Sequence, residues 1–144
     1  VFDGVIDVMK TLNNQNRLYI ATLKDAKSVR LILENQGLEV KKERLYDQSQ
    51  IKSKLQALDR FRKKIGCSKD EMIFIDDNVT HLIGPKDAGY SVYLTIWGEN
   101  MEEYLEIAKN EGILLLSDSD FLINCLTRGL VYEMRGVRQE KRHF

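Results

Sequence analysis

The sequence predicts an α/β domain built on a parallel sheet that helices cover on both faces. Three observations carry this. Helix-like and strand-like segments alternate along the chain. The strand-like segments are short continuous apolar runs, as strands buried on both faces require, and not polar–apolar alternations. No repeat or linker-like stretch interrupts the first 127 residues, so they read as one core domain, with 128–144 as a basic C-terminal extension.

Each element has its own signal. Val5, Val8, Met9 and Leu12 have helical spacing, and Asn13-Asn14 closes that segment. Leu18 to Thr22 is a short apolar strand. Asp25 can cap a helix that carries Val29, Ile32 and Leu33 on one face and stops at Gly37. Arg44 to Tyr46 has weak strand character. Ser53 caps the next helix, whose stripe is Leu55, Leu58, Phe61 and Ile65 and whose stop is Gly66. Met72 to Ile75 is a buried strand that runs into Asp76-Asp77. A helix comes next and extends to Ala88, with Gly89 as its stop, and Pro85 predicts a break or a late start within it. Ser91 to Thr95 is a strand, Met101 to Asn110 a helix, Ile113 to Leu116 a strand and Asp118 to Leu126 a final helix.

Composition excludes several classes. Of 144 residues, 43% are apolar and 31% charged, which is ordinary for a globular domain. Lys+Arg and Asp+Glu are 22 each, so no net basic field draws the chain to nucleic acid. No apolar stretch approaches the roughly 20 residues that cross a bilayer. Cys67 and Cys125 lack metal-ligand spacing and read as free thiols of a reducing, cytoplasmic setting. Arg128, Arg135, Arg138, Lys141 and Arg142 make the C-terminal stretch locally basic. From Arg135 to Arg142 no aromatic residue is interleaved among them, which argues for a solvated tail over a nucleic-acid surface. Within that stretch Val131-Tyr132-Glu133-Met134 could form a short strand or a docking segment.

In parallel sheets ligands sit beyond the carboxyl ends of the strands. The residues just after each strand are therefore the place to look for chemistry. Asp76-Asp77 stands out there: two adjacent carboxylates repel each other, and a divalent cation with oxygen ligands, such as Mg²⁺, relieves that repulsion. Capping of the next helix by one of them is the structural alternative. Thr22 can hydrogen-bond a phosphate oxygen or serve simply as a strand residue. Lys52 and Lys54 stand at the start of a helix, where a lysine can neutralise a phosphate as a point charge. His81 is a lone histidine on the helix after the acid pair and is left out of the site. No glycine-rich phosphate loop and no Ser-His-Asp or Cys-His arrangement is present.

The order of these pieces resembles the haloacid dehalogenase-like superfamily of phosphohydrolases. "GVIDVMKTLNNQNRLYIATLKD" is similar to its helix and the strand that ends in the motif II Ser/Thr, here Thr22. "IKSKLQALDRFRKKIGCSKDEMIFIDDN" is similar to its motif III lysine, helix and motif IV acids. "DAGYSVYLTIWG" resembles the family's Ala-Gly turn and next strand, and "NEGILLLSDSDFLINCL" its last strand and helix. The likeness spans Gly4 to about Leu126. It implies a Rossmann-like three-layer sandwich with a mainly parallel sheet. It also implies Mg²⁺ at Asp76 and Asp77, and Thr22 with Lys54 holding the phosphoryl group of a small phosphorylated substrate. Lys54 is preferred to Lys52 because it falls in the first helical turn. In the family an aspartate forms an aspartyl-phosphate and a second aspartate two residues later acts as acid and base.

That Asp-x-Asp is missing. Asp3 has Val5 where the second acid belongs and lacks a preceding strand. The resemblance puts the missing strand at the centre of the sheet. The expectation is that the first, central strand is not in this sequence. Residues upstream of Val1, or a second chain, would then complete the sheet and bring the nucleophile. The alternative is a catalytically inactive domain of the same fold that binds a phosphate or a partner.

Overall fold

The computed structural model of the chain describes residues 3–96, 101–116 and 129–133. Within them, five helices and six strands succeed one another: α1 (Asp3–Asn14), β1 (Leu18–Ala21), α2 (Ala26–Asn35), β2 (Leu45–Tyr46), α3 (Lys54–Ile65), β3 (Met72–Asp76), α4 (Thr80–Asp87), β4 (Ser91–Thr95), α5 (Met101–Glu111), β5 (Leu114–Leu116) and β6 (Gly129–Glu133). The strands form one sheet in the order β2-β1-β6-β3-β4-β5. Every pairing in it is parallel. The fold is thus mixed α/β with a Rossmann-like alternation. The expected helix Asp118–Leu126, residues Trp97 and Gly98, Cys125 and the tail beyond Glu133 lie outside the described residues.

Alternation along the strands divides the apolar side chains between two cores. Leu18, Ile20, Ile73 and Ile75 join Val5, Met9 and Leu12 of α1 and Val29 and Leu33 of α2. Met72, Phe74, Val92 and Leu94 join Ala57, Leu58 and Phe61 of α3, Leu82 of α4 and Ala108 of α5. Burying a side chain of this size stabilises by about 1.5–3 kcal/mol. Phe61 anchors the second core. Its ring stacks on Tyr46 at 4.4 Å and lies 5.0 Å from Tyr19, which ties α3 to β1 and β2.

The local signals act as expected at several boundaries. The Asp25 carboxylate accepts from the Ser28 amide and caps α2. Ser53 accepts from the Gln56 amide and caps α3. Gly66 ends α3 at φ 80°, a left-handed conformation that side chains disfavour. Pro85 does not break its helix: α4 begins at Thr80 and runs through Pro85 to Asp87. The helix has only eight residues, so the missing proline donor disturbs one turn, and the amide of Ala88 still reaches the Gly84 carbonyl.

The centre of the sheet requires a correction. The expected gap between β1 and β3 is filled from within this sequence, by β6. Leu18–Ala21 pairs with Leu130–Glu133, and Met72–Ile75 pairs with Gly129–Tyr132. The physical reason is the one that predicted a missing strand: buried backbone amides and carbonyls on two facing edges need partners. A five-residue segment of the C-terminal stretch supplies them. Asp3, in turn, is the first residue of α1 and not the end of a strand.

Candidate functional site

From β1 the chain steps outward to β2, and from β3 it steps the other way to β4 and β5. The direction reverses at β6. Parallel sheets open a crevice at such a reversal, beyond the carboxyl ends of the strands. Thr22 comes directly after β1 there, Asp47 directly after β2, and Asp76 ends β3. All three are buried, as are Lys54, Asp77 and Thr95, so the buried polar side chains gather at this one end of the sheet.

Asp76 is the hub. Its side chain is fully buried. One carboxylate oxygen, Oδ2, accepts from Lys54 Nζ at 3.2 Å and lies 2.9 Å from His81 Nδ1. The other, Oδ1, accepts from the Asn78 amide at 2.8 Å. Burial alone would raise its pKa. The Lys54 ammonium, the His81 ring and the Asn78 amide outweigh burial and bring the carboxyl down to about 2. An ionised carboxylate can only accept, so the proton between Asp76 and His81 sits on Nδ1.

Lys54 reaches Asp76 because Ser53 starts α3 beside the strand end. Its ammonium also lies 5.8 Å from the centre of the Phe74 ring. The structure separates the two lysines: Lys54 is buried against Asp76, whereas Lys52 is exposed. Thr22 has no exposed surface, and its hydroxyl oxygen accepts from the Lys24 amide at 3.0 Å.

Register fixes how these groups are spaced. Ala21 is level with Glu133, and Ile75 is level with Tyr132. Ala21, Glu133 and Asp76 therefore share one rung, and Thr22 and Asp77 stand one residue beyond it. Two strand spacings of about 4.8 Å separate the backbones of β1 and β3.

Two further residues escape sequence reasoning. As a lone histidine His81 carries little signal, yet it packs on Asp76. Its position five residues after a strand-end acid, on the first turn of α4, is the signal that could have found it. Thr95 ends β4, and its buried hydroxyl has no hydrogen-bond partner among the described residues. Asp47 lies at the same end but serves the backbone. It accepts from the amides of Ala26 and Ser49 and from the Ser49 hydroxyl, and these bonds, the hydroxyl first, lower its pKa.

The donor set fits Mg²⁺ in part. Both oxygens of Asp76 are already engaged, so Asp76 suits a cation through water; Asp77, the next residue, is a second carboxylate buried at the same strand end. Among the described residues no group of three or more His, Cys, Asp or Glu side chains is arranged around a common point. A protein that offers one or two carboxylates, with water and phosphate oxygens completing the shell, is the usual host of Mg²⁺. No helix of the described residues is long and apolar enough to cross a membrane. No protein-family model, curated protein or solved structure matches the chain.

Proposed function

We propose that this chain is the core of a Mg²⁺-dependent phosphomonoester hydrolase of the haloacid dehalogenase-like kind, acting on a small phosphorylated substrate. The observation that carries the reading is the buried Lys54–Asp76 pair at the point where the strand order reverses. A buried cation is costly unless paired, and one held at a strand-end crevice is poised for an anion. In this reading Lys54 and Thr22 hold the phosphoryl oxygens. Asp76 orients Lys54 and His81 braces Asp76. Asp77, with Asp76 through water, holds Mg²⁺, which would neutralise charge on the transferring group. Positioning and charge neutralisation are the main demands of phosphoryl transfer, because its transition state spreads negative charge over the equatorial oxygens.

The nucleophile belongs at the carboxyl end of the central strand. A carboxylate oxygen there would bond to phosphorus as the alcohol leaves with a proton, and water would then hydrolyse the acyl phosphate. In this chain that position is Glu133. An aspartate arriving on a strand from upstream of Val1 would have to displace β6. The occupied slot favours a second reading, in which the domain binds a phosphorylated ligand or partner without turning it over.

One experiment weighs the two. The chain is assayed for release of p-nitrophenol from its phosphate with Mg²⁺ present, and for binding of inorganic phosphate. Hydrolysis that is lost in Lys54→Met and Asp77→Ala supports the enzyme. Binding without hydrolysis supports the second reading. Hydrolysis that survives replacement of both Asp76 and Asp77 by Ala refutes the metal assignment.

A further inference from the structure

A cleft of about 370 Å³ opens between the start of α3 and α4, next to the Lys54–Asp76–His81 cluster. This is within the size range of small-molecule pockets. Its polar wall is Lys52, Ser53, Lys54, Thr80 and His81, and no carboxylate is among the lining residues. Leu23, Leu55 and Pro85 supply an apolar wall.

The charges in the cleft are unequal in their commitments. Lys54 faces Asp76 at 3.2 Å, so its charge is matched from behind. Lys52, on the rim, makes no ion pair among the described residues; its amide is bound by the Gln56 side chain, which fixes the backbone at this point. The His81 ring uses Nδ1 on Asp76, which leaves Nε2 as its other polar atom. The Ser53 hydroxyl accepts from the Gln56 amide and keeps its proton for donation. Lys54 and His81 are engaged with Asp76, so among the described residues Lys52 is the cleft's unmatched positive charge; with the Ser53 donor beside it, it favours a negatively charged guest, and the apolar wall suits a short carbon skeleton.

We infer that this cleft binds a second anionic group of the substrate. The substrate class is then a small phosphorylated molecule that carries a carboxylate or a further phosphate a few atoms from the phosphoryl group. This deepens the proposed function and rests on it. Lys52 acts as a specificity residue: it touches the non-reacting anion and not the phosphoryl group.

The test is calorimetric titration of the whole chain, and of Lys52→Ala, with four probes: inorganic phosphate, glycerol 3-phosphate, 3-phosphoglycerate and propane-1,3-diol bisphosphate. Lys52 is exposed, so its replacement leaves the fold intact, which circular dichroism verifies. In the unchanged chain at least one doubly anionic probe binds about five-fold more tightly than glycerol 3-phosphate, the upper range of one exposed charge pair. Lys52→Ala removes most of that advantage and leaves the affinity for inorganic phosphate unchanged. Comparison of the carboxylate and phosphate probes identifies which anion is preferred. Equal affinities for all three glycerol-like probes, or an advantage untouched in Lys52→Ala, overturn the inference while the phosphoryl site stands. Failure of inorganic phosphate to bind overturns both.

Discussion

Helix α3 carries a polar cluster at each end, and the two differ in kind. At its start, Lys54 meets Asp76 and His81 at the carboxyl end of β3. Toward its other end, Arg62 Nε donates to the Tyr90 hydroxyl at 3.1 Å, and that hydroxyl donates to Asp59. Each cluster joins a cation, an acid and a ring, and each ties α3 to the sheet. Tyr90, however, precedes β4 at the amino end of the sheet, away from the carboxyl ends of the strands. Burial first, and then the hydrogen bond to Asp59, push the Tyr90 hydroxyl up to about 12, so it stays protonated and serves as a fixed staple. In the Lys54 cluster it is the acid that stays charged: Lys54 first, then His81 and the Asn78 amide, outweigh burial and hold the Asp76 carboxyl at about 2. Clusters of similar composition are thus set apart by the end of the sheet they occupy and by the charge of the group at their centre.

The largest expected effect removes the support the two clusters share. Val131→Pro places a residue without an amide proton in the central strand, where both edges are paired. It should cost at least ~3 kcal/mol and abolish the cooperative thermal transition. A melting curve like that of the unchanged chain would show that β6 is dispensable to the sheet.

Next, the clusters themselves should separate. Lys54→Met leaves a buried carboxylate without its cation and should destabilise by about 3 kcal/mol, as breaking a buried pair does. It should also abolish phosphate binding. Tyr90→Phe removes one hydroxyl and should cost about 1 kcal/mol, with phosphate binding unchanged. Urea denaturation and calorimetry measure both quantities. Equal losses of stability, or a loss of binding in Tyr90→Phe, would erase the distinction.

The smallest effect concerns Asp47, an acid at the carboxyl end of the sheet that behaves like a staple. The Ser49 hydroxyl and the amides of Ala26 and Ser49 lower its pKa in the folded chain. Its contribution to stability is therefore present above the unfolded pKa of about 3.9 and is lost as the pH falls through the lower folded value. Asp47→Asn should flatten the decline in stability below about pH 4 by that share and leave phosphate affinity at pH 7 unaltered. An unchanged acid slope would mean that Asp47 gains nothing from these bonds.

Much of the architecture is legible in the sequence because burial on two faces leaves a plain mark. Met72 to Ile75 and Ser91 to Thr95 are apolar runs with nothing else to be. Ser53 and Gly66 bracket α3 by capping chemistry that acts over four residues. The carboxyl-end rule then singles out Thr22, Asp76 and Asp77, and the helix start at Ser53 adds Lys54; all four lie buried at that end. Two things are not legible. The central place of β6 is one: Val131-Tyr132-Glu133 has enough pattern to suggest a short strand, but its position between β1 and β3 comes from two distant edges that need partners. His81 has only its spacing from Asp76 as a signal, because the contact depends on how α4 leaves β3. The Pro85 expectation fails for a related reason: propensity describes a helix interior, and α4 is too short to have much of one.

The central claim is that the strand-end crevice between β1 and β3 is a phosphoryl site. The most direct measurement is titration of inorganic phosphate, with Mg²⁺ present, into the chain and into Lys54→Met, Thr22→Val and Tyr90→Phe, each first shown to be folded. The account predicts binding to the unchanged chain and to Tyr90→Phe, and its loss in Lys54→Met and Thr22→Val. Binding that persists in both of those variants, or that never occurs, would contradict it.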